Sequence, residues 1–92
     1  MERKRNKLEV IRDILLVIRS RNGKARPTQI LYKSNLSHTM MKEYLEYLIK
    51  NKFIKEEYDK NKKLYAITPK GNKYLEEFNT IVNFMDSFGL DE

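Results

Sequence analysis

Apolar residues fall at three- and four-residue intervals along four stretches of this chain and at every second residue along two more. The first helical stretch follows a polar, basic arm over residues 1–7. Leu8, Ile11, Ile14, Leu15 and Ile18 stack on one face, with Val10 and Val17 beside it. It should close near Asn22-Gly23, because glycine takes the left-handed conformation that ends a helix. Pro27 suits the first turn of a second, short helix over Thr28 to Lys33, with Ile30 and Leu31 inward. Ser34-Asn35-Leu36-Ser37 is a turn in which Leu36 plugs the core and Ser37 caps a third helix. Met41, Leu45, Leu48 and Ile49 form the buried face of that helix, and Asn51 or Lys52 ends it.

The period then drops to two. Phe53 to Tyr58 reads as a strand, Asp59 to Lys62 as a polar turn, and Lys63 to Ile67 as the returning strand of a β-hairpin. Thr68 caps a fourth helix, Pro69 takes its first position, and the helix runs to about Phe88, ahead of Gly89. Three helices, a tight turn between the second and third, and a hairpin wing predict a winged helix-turn-helix. The fold class is mainly α with a small β-hairpin wing and a long C-terminal helix. The expected division is a winged helix-turn-helix domain with its basic arm over 1–68 and a dimerisation helix over 69–92.

Composition narrows the function. With 92 residues the chain makes one small domain. It has no cysteine and a single histidine, His38, so disulfides, thiolate metal sites and histidine clusters are excluded. Gly23, Gly71 and Gly89 are too scattered for a phosphate-cradling loop, and His38 has no nucleophile arranged beside it. No catalytic activity, metal or other cofactor is expected. No apolar run approaches the roughly 20 residues of a membrane span, and the Met1–Arg5 start has no signal-peptide core, so a cytoplasmic, nucleoid-associated protein is expected.

Charge is placed unevenly. Residues 1–26 carry net +6, 27–52 carry +2, 53–68 carry +1 and 69–92 carry −3. A basic body with an acidic tail points to a polyanion for the body. The expected duplex-DNA contacts are Arg3, Lys4 and Arg5 in the arm, and Lys24, Arg26, Thr28, Gln29 and Lys33 around the second helix. Ser37, His38, Thr39 and Lys42 at the start of the third helix and Lys60, Lys62 and Lys63 at the wing complete the set. Glu43 and Glu46 oppose this reading, since they set carboxylates on the presumed DNA face. The alternative is therefore a winged-helix protein-interaction module without nucleic-acid binding, using Met40, Tyr44 and Tyr47.

The fourth helix carries a heptad seam of Tyr74, Phe78, Ile81, Met85 and Phe88, widened by Leu75 and Val82. So many large apolar groups exceed what a helix tucked against one small body needs, and a homodimer interface is expected. Lys70 and Lys73 begin this helix while Asp86 and Asp91 end it, against the macrodipole. An antiparallel pair would set each basic end beside the partner's acidic end.

The resemblance reaches further than the pattern. Lys7-Leu8-Glu9-Val10-Ile11, the run Pro27 to Ser37, Tyr44-Leu45 to Leu48-Ile49, Tyr65 to Gly71, and Phe88-Gly89-Leu90 resemble the small archaeal winged-helix DNA-binding proteins of about ten kilodaltons. The resemblance implies a DNA-binding homodimer held by an antiparallel C-terminal coiled coil, with a transcription-regulatory or chromatin architectural role.

Overall fold

The computed structural model describes residues 5–89. Helix α1 spans Lys7–Ser20, strand β1 Lys24–Ala25, helix α2 Pro27–Ser34 and helix α3 His38–Lys50. Strands β2 (Ile54–Asp59) and β3 (Lys62–Ile67) follow, and helix α4 covers Pro69–Ser87. The winged helix-turn-helix architecture is as expected, with one strand more than the hairpin. The sheet has three antiparallel strands in the order β1-β3-β2. Lys24 lies opposite Ala66 and Ala25 opposite Tyr65.

Local chemistry sets the element ends. Asn6 accepts from the Glu9 N–H while the Glu9 carboxylate accepts from the Asn6 N–H, a reciprocal cap that starts α1 at Lys7 rather than Leu8. The helix stops at Ser20, earlier than expected, because Asn22 and Gly23 both take positive φ and the Gly23 N–H returns to the Ile18 carbonyl. Pro27 opens α2, and Asn35 in the left-handed conformation closes it. Ser37 and Thr68 cap α3 and α4 by accepting from the Met40 and Gly71 N–H groups. The wing turn contains only Lys60 and Asn61, at φ 51° and 66°, as a type I′ hairpin turn requires. Strand β2 therefore starts one residue later and ends one later than its period suggests.

The core joins Val10, Ile11, Ile14, Leu15 and Ile18 of α1 to Ala25, Ile30, Met41, Leu45, Leu48, Ile54, Tyr65 and Leu75. Two expectations about burial are corrected. Leu8 is 54% exposed, because it lies at the edge of the face centred on Val10, Ile11, Ile14 and Ile18, and Val10 in the same turn is buried instead. Leu75 is only 2% exposed and belongs to this chain's own core, so it cannot widen an intermolecular seam. Tyr74 is half-buried, edge-on to Phe53 at 5.5 Å, and its hydroxyl donates to the Leu8 carbonyl at 2.9 Å. Beyond Phe78, every described residue of α4 is exposed. The molecule is accordingly elongated, 49 × 30 × 22 Å. Among the described residues no helix is long and apolar enough to cross a membrane.

Candidate nucleic-acid interface

Strand β3 divides the basic surface into two grooves. Its alternate side chains point to opposite faces. Lys63 and Tyr65 turn toward α3, whereas Leu64 turns toward β1 and α2. The first groove encloses about 440 Å³ between α3 and the wing. Its floor is Met41, Leu45, Ile49 and Tyr65, and its walls are His38, Thr39, Lys42 and Glu46 from α3 with Glu56 and Lys63 from the wing. Burial raises the Tyr65 phenol above its ordinary value, so it remains a neutral floor. The second groove, wider and more open at about 680 Å³, gathers Ser20, Arg21, Asn22, Lys24, Arg26, Gln29 and Lys33 around Leu64.

Most of the expected contact residues therefore fall into two groups plus the wing tip. His38, Thr39, Lys42 and Lys63 share the first groove, and Lys24, Arg26, Gln29 and Lys33 share the second. Lys60 and Lys62 are exposed at the turn, and Thr28 is exposed in the first turn of α2. The Ser37 hydroxyl is occupied by the Met40 N–H at 3.2 Å. An anion at this helix start would meet the first-turn N–H groups, which have no intrahelical acceptor. Arg5 is not part of a loose arm. It holds Asp13 at 2.7 Å and reaches the Asn35 carbonyl at 3.4 Å, tying α1 to the turn before α3. Arg3 and Lys4 lie outside the described residues.

Arg21, Asn22 and Ser20 were absent from the sequence expectation. They sit on the exit of α1, and only the strand β1 that follows brings that exit beside α2. The available signal was the cation adjoining the Asn22-Gly23 closure.

The wing carries its own counter-charges. Lys24 contacts Glu57 at 2.9 Å, reaching diagonally across β3, and Lys55 contacts the same carboxylate at 3.3 Å. Lys63 approaches Glu56 at 3.8 Å. Arg26, Lys33, Lys42, Lys60 and Lys62 have no such partner among the described residues. The hydrogen bonds from Lys24 and then Lys55 lower the Glu57 carboxyl from its ordinary 4.5, and the Glu57 hydrogen bond raises Lys24 above 10.5. The signs follow from linkage. The Glu57 contribution is present above 4.5 and is lost as pH falls through the lowered value, and the Lys24 contribution is lost only as pH rises through the raised one. Melting temperatures of the wild type and Glu57→Gln should thus differ by a small constant margin between about pH 5 and about pH 10, and converge in acid. Curves that stay parallel down to about pH 2 would remove the ion pair from the stability of the β1–wing contact.

The chain is 34% identical over 84 residues to the uncharacterised protein MJ0287 of Methanocaldococcus jannaschii, covering 91% of this chain and 80% of that one. It is 33% identical over 78 residues to MJ0290 of the same organism, but there 85% of this chain spans only 34% of the relative. Among solved structures, Sso10a-2, a DNA-binding protein from Sulfolobus solfataricus, superposes with a TM-score of 0.78 over 91% of this chain and 85% of that one. At 21% identity that likeness is one of fold. A sequence profile of the winged helix-turn-helix family matches residues 4–86, nearly the whole chain, which belongs to that family.

Proposed function

We propose that the protein binds duplex DNA as a homodimer, acting as a transcriptional regulator or a chromatin architectural factor. The observation that carries this reading is the arrangement about β3. Arg21, Lys24, Arg26 and Lys33 line one side of the wing, Lys42 and Lys63 line the other, and Lys60 and Lys62 project at its tip. The start of α3 would enter a major groove with His38, Thr39 and Lys42, and the wing and second groove would follow the flanking phosphates. The fold likeness to a protein named as DNA-binding supports the same reading. The exposed seam of α4 would join two such bodies antiparallel, the basic first turn of each helix directed toward the acidic end of the other.

A titration with random-sequence duplex tests it. Neutralising roughly four to six phosphates per subunit should make log affinity fall with log salt at a slope of about −4 to −5 per subunit. Reversing Lys60, Lys62 and Lys63 to glutamate should weaken binding to all duplex sequences alike and flatten that slope by about 2 to 3. Failure to bind duplex at about 50 mM salt would reject the proposal. It would turn attention to the face of α3 where Met40 (44% exposed) and Tyr47 (36%) stand beside Glu43 and Glu46, a surface suited to a protein partner.

A further inference from the structure

The exposed portion of α4 is short for the task proposed above. From Phe78 to Phe88 it has about three turns, some 16 Å of helix. Two such segments side by side bury much less than the roughly 800 Å² per partner of a stable interface. More apolar surface must be covered elsewhere, and the structure offers it where α1 meets α4.

Leu8 is 54% exposed, the most exposed apolar side chain of α1, whose Val10, Ile11, Ile14, Leu15 and Ile18 line the core. Tyr47, 36% exposed, carries the Lys7 ammonium 4.0 Å above its ring. Tyr74 connects to Leu8 through its hydroxyl. Arg12 lies 5.0 Å over the Phe78 ring. This is an apolar platform edged by two cations. The tip of α4 is its complement. Phe84 (57% exposed) and Phe88 (66%) lie one turn apart with ring centroids 4.8 Å apart and planes tilted by 39°, and Gly89 turns the chain at φ 63°.

We infer that the Phe84–Phe88 tip of one chain seats on the Leu8–Tyr47–Tyr74 platform of a second copy, so that the dimer interface runs from the α4 pair onto the winged-helix body. The inference rests on the proposed antiparallel dimer. The seam positions are nearly symmetric about Ile81, seven residues separating it from Tyr74 on one side and from Phe88 on the other. A twofold axis at Ile81 therefore brings the partner's Phe88 beside Tyr74, which is bonded to Leu8. The same operation sets Asp86 level with the partner's Glu76, a turn short of Lys73, so the register is carried by the apolar seam and not by charge. No chain can satisfy its own platform, because Phe88 lies 14 residues beyond Tyr74 on a continuous helix, about 21 Å away. Seating the tip would also fix the angle between each DNA-binding body and the central helix pair, and thereby the spacing of the two α3 helices.

The chain has no cysteine, so introduced thiols report cleanly. One sample carries Ile81→Cys. A second mixes Leu8→Cys chains with Phe88→Cys chains. Each is treated with a short bis-maleimide and run on a denaturing gel. All three positions are exposed, so the substitutions leave the fold in place. Cross-linked dimer in both samples is the expected result. Cross-linking through position 81 but not between 8 and 88 overturns the platform and leaves the dimer standing. No cross-link in either sample overturns both.

Discussion

Replacing Gly71 with alanine should lower the unfolding midpoint by about 5–25 °C, although alanine is the better helix former by about 1 kcal/mol. Packing outweighs propensity here. Thr68 begins α4 by donating its hydroxyl to the carbonyls of Lys52 at 2.7 Å and Phe53 at 3.0 Å, while its own N–H also reaches Phe53 at 3.1 Å. The Phe53 carbonyl is thereby fixed beneath the first turn of α4. A methyl group on residue 71 would drive into that oxygen and lie 2.7 Å from Cγ1 of Ile67. Neither neighbour yields easily, since one is backbone and the other anchors the end of β3. Overpacking of this kind costs about 1–3 kcal/mol, a large share of a small domain's stability. Thermal melts followed by circular dichroism check it, with Asn72→Ala, exposed one position along, as the control. A Gly71→Ala midpoint within about 2 °C of wild type would show that α4 can lift off the Phe53 carbonyl without cost.

Much of this architecture was legible locally. Gly23, Pro27, Ser37 and Thr68 each act through the backbone of their own neighbours, so element boundaries could be placed within one or two residues in most cases. The Asn6–Glu9 capping box is equally local, but it sits inside a basic run that reads as an arm. Strand β1 was not legible, because two residues have no period and Lys24–Ala25 becomes a strand only by pairing with β3 some 40 residues later. Period alone also mislaid Leu8 and Leu75. Spacing finds an apolar stripe but not its centre, and in the first turn of α1 the covered side is that of Val10 and not of Leu8. Phe84 escaped the seam altogether, since it lies between heptad positions and shows itself only as exposed apolar surface. The diagonal Lys24–Glu57 contact depends on the register of three strands and had no trace in the sequence. Functional assignments suffer most from this, because both grooves are built from residues that are distant in the chain.

Ile81→Glu should convert the proposed dimer to a monomer and weaken duplex binding by about 10²–10⁴-fold. Ile81 is 55% exposed within one chain, so the substitution costs the fold of the body little. Across a twofold axis through residue 81, however, the two introduced carboxylates would face each other at close range, away from water and without a cation between them. Burying an unpaired charge costs several kcal/mol, and two like charges cost more, which is more than a short helix pair has to spare. Loss of the pair removes the second DNA-binding body from the effective concentration set by α4, and avidity goes with it. The remaining monomer keeps its grooves, so its log–log salt slope should fall from about −8 to −10 for the dimer to about −4 to −5. Asn83→Glu, on the side of α4 away from the seam, adds the same charge and should leave both mass and slope unchanged. Sedimentation equilibrium with a parallel salt titration reads the two effects together. An Ile81→Glu protein with wild-type mass, or one that is monomeric with an undiminished slope, would separate the exposed seam from assembly or assembly from DNA binding.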